Sequence, residues 1–358
     1  MTAIARIENA GAGRNQGLAT GLALSLALGR PVRLEGLKDD ELSPAPGLGP
    51  GGFTAALAAA KVSGGRVQGE PGQPELEFFP GPVRPGDYTF DLAFRRPTPA
   101  PLSLVLQALA LPLARLSRPS SLLLAGGTHV PGGLMSDEVA RVLVPNWRAL
   151  GLTLDYTEIS PGFLPKAKGE AEAGLGPGGN PRPLKAEEPF RASRFGVEVL
   201  ISGLPVHLGE QALEGTLSRL ELHGIPARGR LRRARGARGM ALVVWAQGRD
   251  IRVGYGALGR RGGRPHSLGI KPAEALKGFL DSGAGISAEA AAPLVSALAC
   301  STGVSRLRVD RLTPTLKAAL RALEAFQPQA LRVDQPRPGR PVEVRILGLN
   351  PPARAEHD

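Results

Sequence analysis

A single cysteine, Cys300, stands among 358 residues. The chain can therefore have neither an internal disulfide framework nor a multi-cysteine zinc site. Aromatics are scarce, 15 in all. The longest apolar run, Leu18 to Leu28, reaches about half of a bilayer span, and the segment before it carries Glu8 and no basic run of the kind that opens a secretory leader. It is expected to be a buried helix of a soluble, cytoplasmic protein with no membrane partner. Acid is missing from one stretch above all. Between Arg228 and Arg264 there are 11 arginines, no lysine and one acid, Asp250, so this stretch holds +10 of a formal net charge of +12. Of the 44 basic residues 36 are arginine, which fits a polyanionic partner and equally fits a GC-rich coding bias.

What is present is a chain with 42% hydrophobic and 21% charged residues, 48 Gly and 34 Pro. That excludes a purely disordered protein and gives length for two domains. Three stretches read as variations of one unit: helix, strand, loop, helix, strand. The first runs from the helix around Leu18–Leu28 through a strand at Val32–Glu35 to a helix ending at Gly64-Gly65 and two strands. The second runs from the helix around Leu102–Leu113 through a strand at Ser121–Leu124, a Gly126-Gly127 turn and a helix from Ser136 to a strand near Leu152–Ile159. The third has a strand at Ser305–Val309, a helix at Leu316–Phe326 and two closing strands. Apolar residues recur at helical spacing in the long segments and at every second residue in the short ones. A repeat of roughly 80 to 100 residues points to a triplicated α/β unit rather than a solenoid.

Between the second and third units, Gly169–Pro183 reads as a flexible Gly/Pro linker. Beyond it a separate small α/β pattern follows. The expected fold class is α/β: three repeated units forming a large domain, with a smaller α/β domain inserted. The expected division is residues 1–183 for units one and two, 184–268 for the inserted domain and 269–358 for unit three.

The order of elements and several short motifs resemble the RNA 3′-terminal phosphate cyclase family. The motifs are Pro80-Gly81-Pro82-Val83-Arg84-Pro85-Gly86-Asp87-Tyr88 with Phe90, Leu104-Val105-Leu106-Gln107, Gly126-Gly127-Thr128 and Gly162-Phe163-Leu164-Pro165. The resemblance implies three units like the C-terminal domain of translation initiation factor 3, with a small domain inserted before the third. It also implies a chemistry. In active members a histidine attacks the α-phosphate of ATP, the adenylate passes to an RNA 3′-phosphate, and the 2′-hydroxyl displaces AMP to leave a 2′,3′-cyclic phosphate. Such an enzyme needs ATP, Mg2+ and cations on the phosphates.

The residues at those places depart from the family's pattern. Where the resemblance puts the nucleophilic histidine, the sequence reads Thr313-Pro314-Thr315-Leu316-Lys317. Thr315 has no activating base, and Thr313-Pro314 reads as a helix N-cap followed by proline at the first helical position. The first loop keeps Gly13 and Gln16, with Arg14 as a possible phosphate contact, but lacks the family's acid, and Ala19 stands where an arginine belongs. The second loop, Ser43 to Gly52, has lost its cations. Gln107 and His129 are assigned to the cleft, although His129 also reads as a solvated loop residue. His207 and His223 read as cap or surface residues, and His266 as a possible phosphate contact. The adjacent carboxylates Asp39-Asp40, Asp137-Glu138 and Glu187-Glu188 read as helix-start or solvent groups. No metal ligands are expected.

The positive signal is arginine. Arg228, Arg230 and Arg232 alternate on one strand face, Arg233, Arg235 and Arg238 continue around a turn, and Arg260, Arg261 and Arg264 form a second cluster. Guanidinium groups suit phosphate. With only Trp245 and Tyr255 interleaved, backbone contact is expected rather than base stacking. The expected function is that of a cyclase-like RNA-binding protein without self-adenylylation, resembling the family's catalytically inactive branch. The alternatives are an active ATP-dependent cyclase and a scaffold for a protein partner.

Overall fold

Short alternating strands and long apolar helices assemble into four sheets of four strands each in a computed structural model that describes residues 4–37, 47–92, 100–334 and 339–351. In the first sheet β1 (Ala5–Ile7), β2 (Val32–Glu35), β3 (Arg66–Gln68) and β4 (Glu75–Phe79) lie in the order β1-β2-β4-β3, with α1 (Ala12–Leu28) and α2 (Pro50–Ser63) packed together beside it. The second has β5 (Asp87–Asp91), β6 (Ser120–Gly126), β7 (Leu154–Ser160) and β8 (Gly169–Leu175) in the order β5-β6-β8-β7. Its helices are α3 (Leu102–Ala114) and a run made of α4 (Ser136–Glu138), a π-helical turn (Val139–Leu143) and α5 (Val144–Ala149).

After β9 (Lys185–Ala186) the chain leaves for the fourth sheet: β10 (Arg194–Ser202), α6 (Val206–Leu222), β11 (Ala227–Ala234), β12 (Gly239–Gln247), β13 (Arg252–Leu258) and α7 (Ile270–Asp281). The strand order is β11-β10-β12-β13, with β10 and β11 parallel. The chain then returns through α8 (Ala288–Ala291), α9 (Val295–Ala299), β14 (Val304–Val309), α10 (Pro314–Phe326), β15 (Leu331–Val333) and β16 (Val342–Leu347) to complete β9-β14-β16-β15. In chain order, three of the sheets share the arrangement first-second-fourth-third, with the first pair parallel in each.

Several elements differ from the sequence reading. Strands β1, β5 and β9 open the three similar sheets and were not expected, because two to five residues carry too little pattern. Half of the expected linker is β8, paired on both sides with β6 and β7. Its inward residues Gly169, Ala171, Ala173 and Leu175 alternate with outward Glu170 and Glu172, so small side chains hid a central strand. Gly169 is needed there: a Cβ would lie 2.5 Å from the Gly162 nitrogen. Lys185 and Ala186 pair with β14, not with the fourth sheet, and α7 packs on β12, β13 and α6 rather than on the third sheet.

One large core cluster draws on all four sheets, and a small second one gathers Met135, Phe163, Leu200 and Ala241. Helix α1 lies against α10, α3 and α2, and every residue of α3 is buried. No helix among the described residues is long and apolar enough to cross a membrane.

Candidate functional site

Alternation on β11 puts Arg228, Arg230 and Arg232 on one face, as expected, but at Arg232 that face meets the second unit. The run from α4 to α5 lies between β7 and strands β12 and β13. Glycines let it approach: a Cβ on Gly256 would lie 2.3 Å from Met135, and one on Gly254 2.6 Å from Val142.

At this seam sits a buried ionic network. Arg232 Nη2 donates to Asp137 Oδ1 at 2.5 Å, its Nε lies 2.6 Å from Glu198 Oε1, and Glu158 is 3.4 Å away. Arg141 reaches the other Glu198 oxygen at 2.6 Å. His129, whose side chain has no exposed surface, donates from Nε2 to Asp137 Oδ2 at 3.0 Å. Its Nδ1 faces Thr128 Oγ1 at 2.9 Å and Glu158 at 3.4 Å, and its ring stacks on Phe163 at 4.9 Å. Burial opposes the charge on Asp137, but the hydrogen bond and charge of His129, together with Arg232, hold the carboxyl below its usual range. Burial likewise opposes the charge on Arg232, and three carboxylates outweigh it, raising its pKa. This changes three sequence readings. His129 is not a solvated loop residue, Asp137 starts a helix but is not in solvent, and Arg232 is engaged internally rather than presented to a ligand.

The first loop and the start of α10 do meet. Thr313 Oγ1 accepts from the Leu316 amide at 3.2 Å and Pro314 opens α10, so the N-cap reading holds. The first loop rests on this helix end, backbone on backbone. A Cβ on Gly13 would lie 2.4 Å from the Thr315 Cα, and Gly13, Arg14 and Asn15 are all left-handed, with φ of 62°, 62° and 58°. For the two non-glycine residues that conformation is strained by order 1–3 kcal/mol each. The charge of Arg14 favours the ionised form of Glu138, whose Oε2 accepts from the Met135 amide at 2.9 Å. Burial nevertheless pushes the Glu138 carboxyl above its usual range. A cavity of about 20 Å³, lined in part by Glu138, Asn146 and Glu289, adjoins it and has room for one or two waters.

Gln16 donates to Thr20, whereas the buried Gln107 Oε1 and Asn15 Oδ1 have no hydrogen-bond partner. His207 is exposed on the first turn of α6, His223 joins Glu274 of α7 at 2.9 Å, and His266 is exposed. Residues 39, 40 and 43–46 of the expected acidic pair and second loop lie outside the described residues. Among the described residues, no three His, Cys, Asp or Glu side chains come together as metal ligands.

The profile of the RNA 3′-terminal phosphate cyclase family matches residues 10–333. The chain belongs to that family. It is 30% identical to an RNA 3′-terminal phosphate cyclase of Pseudomonas fluorescens over 338 residues, 94% of each chain. To proteins of the same name it is 30% identical in Thermococcus onnurineus, covering 94% of this chain and 97% of the other, and 31% identical in Methylococcus capsulatus, covering 88% and 89%. Within this cyclase-family chain, Arg141, Glu158 and Glu198 were not singled out by the sequence reading, and Asp137 was read only as a helix-start or solvent group. Four different elements supply them, and only three-dimensional pairing brings them to Arg232 and His129.

Proposed function

We propose that this cyclase-family protein binds RNA and does not nucleotidylate itself. One observation carries the second half of that reading: the histidine nearest the expected cleft is walled in. A nucleophilic imidazole needs a free lone pair and a path to the phosphorus. His129 has Nε2 donating to Asp137, Nδ1 against Thr128, Phe163 over its ring and no exposed side-chain surface. Thr315, at the N-terminus of α10, offers only an unactivated hydroxyl. The first half rests on the family, whose relatives are named for an RNA substrate, and on the exposed arginines of the fourth sheet.

Intact-mass measurement after incubation with ATP and Mg2+ tests the reading. No added AMP is expected. A gain of one AMP that disappears in His129→Ala would overturn it. A reading with retained nucleotide binding is favoured by the unpartnered Asn15 Oδ1 and Gln107 Oε1, and ATP-dependent thermal stabilisation lost in Gln107→Leu would support it.

A further inference from the structure

The arginine-rich stretch is continuous in sequence and divided in space. On parallel β10 and β11, Arg228 pairs with Gly196 and Arg232 with Leu200, and on antiparallel β12 and β13, Gln247 pairs with Arg252 and Ala241 with Leu258. Arg228 and Arg252 therefore lie at the end of the sheet where β10 begins. Arg235, Arg238, Arg260, Arg261 and Arg264 lie at or beyond the other end, roughly 20 Å along the strands. Arg232, between them, is locked into the buried network.

The first end gains a residue that no linear count includes. Arg194, which opens β10, shares the face of Arg228 and Arg230. Its guanidinium stands 5.6 Å from the centre of the Trp245 ring, and that of Arg252 stands 5.3 Å from the same ring. The indole is packed over Gly196, where a Cβ would lie 2.4 Å from it, so it is a buried support for the cations rather than an open stacking surface. Arg252 also donates to the Arg141 carbonyl at 3.2 Å. Guanidinium groups thus gather here with little acid to balance them. Glu198 is taken by Arg141 and Arg232, Asp250 pairs with Arg249 at 3.9 Å, and Arg194, Arg228 and Arg230 have no ion-pair partner among the described residues. Burial, then the charges of Arg141 and Arg194, push the Arg252 pKa down. Holding like charges together costs free energy that an anion would recover.

Resting on the RNA-binding reading above, we infer that Arg194, Arg228, Arg230 and Arg252, braced on Trp245, form the phosphodiester-binding platform of this protein, distinct from the arginines at the other end of the fourth sheet. It contacts successive backbone phosphates of single-stranded RNA through charge-assisted hydrogen bonds, without base readout.

Two charge-matched triple variants test this on the full chain: Arg194→Ser/Arg228→Ser/Arg230→Ser and Arg235→Ser/Arg261→Ser/Arg264→Ser. All six residues are exposed. Binding of a labelled single-stranded RNA is measured as a function of salt. The first variant should lose about tenfold or more in affinity at low salt, and its slope of log affinity against log salt should flatten by about 2, as three lost phosphate contacts imply. The second should stay within a few-fold of the parent and keep its slope. RNA should also change tryptophan emission in the parent and not in Trp245→Phe, since Trp147 is buried in the core. Equal losses in both variants, or loss only in the second, would overturn the platform while leaving RNA binding intact. A parent chain that binds no RNA overturns the RNA-binding reading and the platform together.

Discussion

Arg228 and Arg232 are four residues apart, point to the same side of one strand and have different fates. Arg228 is exposed, and Arg232 holds three carboxylates at the seam between two sheets. Removing one member of a buried charged network strands the others, so Arg232→Ala should cost about 3–5 kcal/mol, against under about 0.5 kcal/mol for Arg228→Ala. Urea unfolding of both variants measures the contrast, and equal midpoints would show the network to be dispensable. Glu138 supplies a pH test. Its folded pKa is raised, so the native state holds that proton more tightly than the unfolded chain, and stability falls as pH rises through the unfolded value toward the folded one. Glu138→Gln should therefore raise the unfolding midpoint at pH near 7, and the gain should vanish below about pH 4. Asp137 has the opposite sign: its lowered pKa contributes stability above its unfolded value, lost as pH falls through the folded one. Alternation alone made the shared face of Arg228, Arg230 and Arg232 legible. The partner of Arg232 was not, because Asp137 lies 95 residues away and its pairing depends on two sheets meeting across a helix.

At the scale of elements, the long helices and most strands could be read from apolar spacing, and the capped start of α10 from Thr313-Pro314. The strand least visible was β8, where Ala and Gly took the inward positions and left a linker's composition. Limited proteolysis separates these interpretations. Cleavage should begin in the exposed stretch Arg260–Arg264 and spare Gly169–Leu175, whose amides and carbonyls are paired on both sides. Early cutting within β8 would contradict the pairing. We propose the inserted unit as β10 through α7, residues 194–281, because α7 closes over β12 and β13 and the chain reaches this sheet only after β9. The sequence placed these edges about ten residues away, since neither a two-residue strand nor an amphipathic helix announces which sheet it joins.

At the scale of the molecule, the family was legible in short motifs and their order, while the closure of the first loop onto the start of α10 was not. The first loop and the start of α10 come from opposite ends of the chain, and no local pattern reports that their backbones touch. That closure bears on how the protein is made. Helix α1 is buried in the finished fold along nearly its whole length, yet its packing partner α10 is translated some 300 residues after it. Lys185 of β9 must likewise wait for Arg306, with the inserted unit between them. The proposed inserted unit, by contrast, is made from one unbroken stretch. The surrounding body cannot close until β14 and α10 have been made, and contacts of such long sequence separation form slowly. Until α10 is made, the nascent chain carries an apolar helix that α2 and α3 can cover but that is open on the side α10 will take, so this fold's exposure to aggregation lasts until that helix exists.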